Sequence, residues 1–200
     1  RAAEYQCKQL QKWGCEDVRT ETFAARGWDF ETCTVYCDEL GYIEALPIEF
    51  SASTPAGGME AELVICEKPD IIAEQISGRI ALFYGALPDT QILLAGQPAG
   101  IILVMPEKAL AWHQIIGPNT ALAGQLPMLT LGFADGVNLV RHGVKCLRLE
   151  VETTIEKVTG RNVVATLPGS SQGKRRINIS GHYDSVPASG AAADNAAGAA

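Results

Sequence analysis

Short β-rich runs separated by glycine and proline fill the middle of the chain, and they constrain its fold more than any other feature. The runs have the length and composition of strands and occur at residues 61–66, 79–84, 100–105 and 126–131. Apolar residues recur at helical spacing in residues 92–99 and 133–141. A loop rich in Ser, Pro and Gly at 51–58 precedes them. This alternation predicts a compact α/β segment over about residues 47–143, without a catalytic constellation of its own.

The amino-terminal flank has a different pattern. Residues 1–13 predict an amphipathic helix, because apolar side chains recur at Ala3, Cys7 and Leu10 and Gly14 follows as a helix stop. Residues 16–23 and 33–50 are extended in pattern, the second broken by Gly41 and Pro47. The chain therefore divides into residues 1–46, 47–143 and 144–200.

The carboxy-terminal flank contains three sequence runs that predict extended chain. Residues 144–155 alternate between apolar and polar, and residues 162–167 form a second β-rich run. A polar turn then leads into a third run at 176–181. The last two runs predict an antiparallel pair.

Composition excludes several classes of function. The formal charge is −7, with scattered basic residues, which argues against a nucleic-acid partner. No apolar stretch approaches the ~20 residues that span a bilayer. The six cysteines fit no zinc-finger spacing, so buried small hydrophobic residues are the default interpretation.

The residues with the clearest chemistry follow the run at 176–181. His182 and Asp184 are two positions apart, and in an extended chain such side chains point to the same side. A neutral imidazole is a good zinc ligand, and a nearby carboxylate fixes its tautomer, so we assign His182 to a metal and Asp184 to orienting His182. Asp194 lies twelve positions after His182 among small residues, and its carboxylate could bridge two metal ions.

Residue types and spacing leave alternatives open. His-x-Asp sequences occur often by chance, and a histidine beside a strand is usually structural. The alanine-rich tail around Asp194 has the composition of a flexible linker.

Three sequence blocks resemble a known protein family, and this resemblance favours the metal site over the alternatives. Asn-Val-Val-Ala-Thr-Leu-Pro-Gly at 162–169, Ser-Gly-His-Tyr-Asp-Ser-Val at 180–186 and Ala-Asp-Asn-Ala-Ala-Gly at 193–198 occur in this order. Together they resemble the co-catalytic, di-zinc aminopeptidase family, which includes bacterial leucyl aminopeptidases and plasma glutamate carboxypeptidases. The resemblance implies a mixed-sheet α/β fold of the zinc-exopeptidase type. Ser-Thr-Pro-Ala-Gly-Gly at 53–58 and Gly-Arg-Ile-Ala-Leu at 78–82 carry a second resemblance, to a protease-associated domain, which implies that residues 47–143 are such an insert.

The resemblance also implies roles for individual residues. His182 would bind one zinc ion, Asp194 would bridge two, and Asp184 would orient His182. The Asp194–Asn195 peptide bond would be cis, and Ala193 stands where many relatives have a second aspartate. The substrate would be a peptide with a free amino terminus, and the family resemblance favours a secreted or periplasmic protein.

The remaining machinery of that family is expected beyond Ala200. The general-base glutamate, its neighbouring metal-binding glutamate, a further acidic ligand and a second histidine would all lie there. Because the chain also begins at Arg1, we expect a piece truncated at both ends and inactive alone. Two rival functions remain: a non-catalytic, peptidase-like interaction protein, and a single-zinc glutaminyl cyclase.

Overall fold

The computed structural model describes residues 2–66, 73–169 and 176–184. Four helices occur in these residues: α1 (Ala2–Lys12), α2 (Ala73–Ile76), α3 (Thr90–Gly96) and α4 (Phe133–Arg141). Eight strands occur in the same residues: β1 (Glu16–Cys37), β2 (Gly41–Ile43), β3 (Ala45–Pro47), β4 (Met59–Cys66), β5 (Ile80–Tyr84), β6 (Gly100–Val104), β7 (Met128–Leu131) and β8 (Cys146–Thr166). The predicted α/β class is confirmed.

The chain forms two compact units. The larger unit is Arg26–Glu156, and the smaller unit combines Arg1–Ala25 with Lys157–Ala200. The predicted insert, residues 47–143, falls inside the larger unit, and its boundaries stay a prediction. None of the helices in the described part of the chain has the length and hydropathy that a bilayer crossing requires.

The strands of the described residues form a mixed sheet in the order β2-β1-β8-β4-β5-β6-β7-β3. Strands β4 to β7 run parallel, and β8 and β3 flank them in the antiparallel sense. Every residue of β6 and β7 is buried. Parallel strands that are covered on both faces are expected to have nearly continuous apolar sequences, as these two strands do.

Two hydrophobic clusters of the larger unit account for this burial. One contains apolar side chains of β1, β4 to β8 and α4, including Val35, Leu82 and Leu147. The other contains side chains of α2, α3 and β4 to β7, including Ile76 and Leu93. Helix α3 begins at a conventional cap, because the Asp89 carboxylate accepts a 2.7 Å hydrogen bond from the Gln91 N–H.

The loop before β4 is fixed to β8 by side-chain hydroxyls. The Thr54 hydroxyl accepts the Val151 N–H at 3.1 Å, and the Ser53 hydroxyl accepts the Thr153 N–H at 3.0 Å. The fully buried Ser51 hydroxyl accepts the Met128 N–H at 2.7 Å. We call these three hydroxyls the hydroxyl clamp. They take over backbone hydrogen bonding that an adjacent strand would otherwise provide.

The smaller unit contains α1, residues 16–25 of β1, residues 157–166 of β8 and the segment 176–184. The helix predicted at 1–13 is confirmed over Ala2–Lys12, and Gly14 follows it with a φ of +82°. The ring of Phe23 covers Gly160 so closely that a Cβ there would collide with it. Pairing of an aromatic ring with a strand glycine is a recognised way to stabilise a sheet.

Two strand predictions in the carboxy-terminal flank were wrong. Residues 144–155 and 162–167 were expected to be separate strands, but β8 runs unbroken from Cys146 to Thr166. The third run, 176–181, is not a strand and does not form the predicted antiparallel pair. A strand needs backbone partners, and Ile177 and Ile179 are 88% and 92% exposed, so no neighbouring layer covers this run within the described residues.

The cysteine prediction holds for part of the set. All six cysteines are free, and Cys37 and Cys66 are buried, but Cys146 is exposed at the start of β8. Burial raises the pKa of Cys33 to about 12 and that of Cys66 to about 11. These two thiols therefore stay protonated at neutral pH and behave as small apolar side chains.

Candidate metal centre

Two of the three predicted site residues, His182 and Asp184, lie at the end of the described segment 176–184. This segment has no regular secondary structure, and most of its side chains are exposed. Its sequence still alternates, with Ile177 and Ile179 separated by polar residues. The polar residues of the site follow immediately, at His182 and Asp184.

The structure brings His182 and Asp184 together. Nδ1 of His182 lies 3.1 Å from Oδ1 of Asp184 and 3.1 Å from the backbone oxygen of Asp184. A carbonyl oxygen and a carboxylate oxygen can only accept a hydrogen bond, so Nδ1 of His182 must carry a hydrogen and act as the donor. The pair is exposed, with 53% of the His182 side chain and 85% of the Asp184 side chain accessible.

This geometry fits the chemistry of a zinc ligand. A histidine that binds zinc through one ring nitrogen generally donates the N–H of the other to a carboxylate or a carbonyl. With its proton on Nδ1, a neutral His182 presents the lone pair of Nε2 as the metal-binding atom. The donor set therefore suits zinc at Nε2, with Asp184 fixing the tautomer.

The metal-binding roles themselves stay predictions. Among residues 2–66, 73–169 and 176–184, no group of three or more His, Cys, Asp or Glu side chains is close enough to hold a metal ion. Asp194, the predicted bridging ligand, and the Asp194–Asn195 peptide lie outside the described residues. The other histidines, His113 and His142, belong to the larger unit.

Tyr183 has a contact that the sequence reasoning missed. Its hydroxyl donates a 2.5 Å hydrogen bond to the backbone oxygen of Arg161 in β8. Position 183 lies between the two site residues, and in an extended chain its side chain would point away from theirs. That spacing is a signal in the sequence, but it does not identify the acceptor.

Comparison with known proteins supports the resemblance drawn from the sequence. Residues 162–200 match the profile described as Peptidase family M28, and this range contains all three proposed site residues. No curated protein sequence matches the chain.

Several solved structures are similar to the chain. A zinc aminopeptidase from Bacillus subtilis is 22% identical, with a TM-score of 0.74 over 98% of this chain and 48% of its own. An aminopeptidase from Aneurinibacillus sp. strain AM-1 is 20% identical, with a TM-score of 0.72 over 98% and 50%. A Peptidase M28 precursor from Shewanella amazonensis SB2B is 16% identical, with a TM-score of 0.67 over 82% and 44%. These likenesses show a shared fold, and the chain spans about half the length of each structure.

Proposed function

From the match of residues 162–200 to Peptidase family M28, we propose that this chain is part of a zinc-dependent aminopeptidase. The observation that carries the proposal is the contact between Nδ1 of His182 and Oδ1 of Asp184, inside the matched range. The substrate would be a peptide with a free amino terminus. The similar structures from Bacillus subtilis and Aneurinibacillus are described as aminopeptidases, which supports this choice.

Each site residue would have one task. His182 would bind a zinc ion through Nε2, and Asp184 would accept the hydrogen bond from Nδ1–H so that this tautomer persists. Asp194 would bridge a pair of zinc ions through its two carboxylate oxygens. When bound, such a pair supplies Lewis acidity and a water of lowered pKa for attack on the peptide carbonyl.

His182 and Asp194 would be two ligands of a larger set. Two protein ligands do not hold two zinc ions, since each catalytic zinc usually takes three. We therefore propose that the 200 residues alone are inactive and that a longer protein supplies the remaining ligands. Within it, we propose that residues 47–143 form a protease-associated insert, and export from the cytoplasm stays a prediction.

The first prediction tests the site in the full-length protein. His182→Ala is expected to lower bound zinc and to reduce hydrolysis of aminoacyl-nitroanilides by at least about 100-fold, because loss of a ligand costs more than loss of an outer partner. Zinc content by mass spectrometry of metals and the rate of nitroanilide release are the measurements.

The matched control is His142→Ala, which removes an exposed imidazole from the larger unit. It is expected to leave zinc content and activity unchanged. Wild-type protein that holds less than one zinc ion and releases no nitroanilide would refute the enzyme function. That result would favour an interaction protein instead.

A further inference from the structure

Within the described residues, no helix or strand fixes the segment that contains His182. Residues 176–184 form no strand or helix, so no ladder of backbone hydrogen bonds holds them. The apolar side chains that precede the site, Ile177 and Ile179, are almost fully exposed. A zinc site depends on ligands held close to the productive geometry. The position of His182 must therefore depend on individual side-chain contacts.

Tyr183 makes such a contact with β8. Its hydroxyl donates to the Arg161 backbone oxygen at 2.5 Å, across 22 positions of sequence. Tyr183 is 37% exposed, and it is therefore much less accessible than Ile177 or Ile179. Both ends of the hydrogen bond lie in the smaller unit.

The two neighbours of Tyr183 contact each other instead. Nδ1 of His182 is 3.1 Å from Oδ1 of Asp184, so the residues on either side of Tyr183 form one pair. A tyrosine fixed between them restricts the backbone on both sides of its own Cα. The acceptor is a backbone carbonyl, so this anchor does not depend on the Arg161 side chain.

We propose that Tyr183 is a positioning residue that holds the His182–Asp184 pair in its metal-binding arrangement by anchoring the segment 176–184 to the Arg161 carbonyl of β8. This inference rests on the proposed function. In this role the hydroxyl binds the Arg161 carbonyl and acts on the site only through the backbone. It acts by lowering the conformational freedom that zinc binding would otherwise remove.

The second prediction follows from this role. Tyr183→Phe keeps the ring and removes only the hydroxyl, so in the full-length protein it is expected to weaken zinc binding roughly tenfold, the lower range for outer partners of a ligand. Zinc affinity is measured by competition with a chromogenic chelator. Activity at limiting zinc is expected to fall by a similar factor and to return with excess zinc, while KM stays unchanged.

Two variants bracket this result. Tyr5→Phe removes a phenol hydroxyl from an exposed position of α1 and is expected to leave zinc affinity at the wild-type value. Tyr183→Trp retains an N–H donor on an aromatic ring, so it is expected to bind zinc more tightly than Tyr183→Phe.

Each contrary outcome has a definite meaning. Equal zinc affinity in Tyr183→Phe and wild type would overturn the positioning role and leave the enzyme function intact. A Tyr183→Phe protein that fails to fold would also overturn it, since the hydroxyl would then serve the fold as a whole and not the site. Equal zinc affinity in Tyr183→Phe and Tyr183→Trp would overturn it too, since the hydrogen-bond donor would then make no difference to the site. Wild-type protein that binds no zinc would overturn the proposed function and this inference together.

Discussion

Gly136 lies where helix α4 packs against strand β6. A Cβ built on Gly136 would lie 2.5 Å from Cγ1 and 2.6 Å from Cγ2 of Val104. Val104 is fully buried and belongs to the same hydrophobic cluster as Leu139 of α4. The absence of a side chain at 136 therefore sets how closely the helix approaches the sheet.

The third prediction weighs two opposing effects at this position. Gly136→Ala gains up to about 1 kcal/mol of helix propensity, but overpacking a full core costs about 1–3 kcal/mol. The net expectation is a loss of about 1 kcal/mol in the free energy of unfolding, measured by urea denaturation.

Ala134→Gly, at an exposed position of the same helix, measures the propensity effect alone. In the double variant Gly136→Ala/Val104→Ala the methyl group at 136 has room, so the two changes are expected to cost less together than the sum of their separate costs. A stabilised Gly136→Ala protein would mean that the helix shifts without cost.

At the scale of elements, the hydroxyl clamp replaces a strand pairing. Thr54 both donates a hydrogen bond from its own N–H to the Val151 oxygen, at 2.8 Å, and accepts the Val151 N–H on its hydroxyl, at 3.1 Å. At Thr153 the Ser53 hydroxyl makes both bonds, donating to the Thr153 backbone oxygen at 3.1 Å and accepting the Thr153 N–H at 3.0 Å. The loop thus bonds to β8 beyond Leu149, where β4 stops pairing, next to residues whose side chains are buried, such as Val151.

Thr54→Val gives the fourth prediction. Valine matches threonine in shape but leaves the Val151 N–H without its acceptor, and an unsatisfied, partly buried group costs about 1–3 kcal/mol. The free energy of unfolding is expected to fall by that amount in urea denaturation. Hydrogen exchange of the Val151 amide is expected to become faster.

The control is Thr154→Val, an exposed threonine of β8, where the change should stay within about 0.5 kcal/mol. Equal effects of the two substitutions would show that the Thr54 hydroxyl contributes no more than a surface group.

For the whole molecule, the hydrophobic cores and the candidate metal centre belong to different units. Both buried clusters consist of residues between Val35 and Val151, within the larger unit, whereas His182 and Asp184 belong to the smaller one. One of these clusters needs β1 and β8, which supply Val35, Cys37, Leu147, Leu149 and Val151. The larger unit therefore contains the buried hydrophobic core that independent folding requires.

The fifth prediction is that residues 26–156 fold alone. We expect a single cooperative transition in thermal and urea denaturation followed by circular dichroism. Residues 47–143, the predicted insert, lack the five side chains from β1 and β8 and are expected to unfold at lower urea concentration and to bind a hydrophobic dye. Identical transitions for the two pieces would place the folding boundary at 47–143.

The sequence by itself determined the local elements and predicted the chemistry of the site. Apolar runs identified β4 to β7, helical spacing identified α1 and α4, and the residues around His182 predicted a metal ligand beside a carboxylate. These features depend on residues a few positions apart, whose spacing fixes which side chains share a face.

Only the tertiary structure decided the features that depend on distant partners. It joined two expected strands into β8, left 176–181 outside the sheet, and placed the Ser53 hydroxyl on Thr153, 100 positions away. It also gave Tyr183 its acceptor at Arg161. A backbone donor or acceptor has no side-chain identity, so a local sequence pattern does not reveal which distant group will satisfy it.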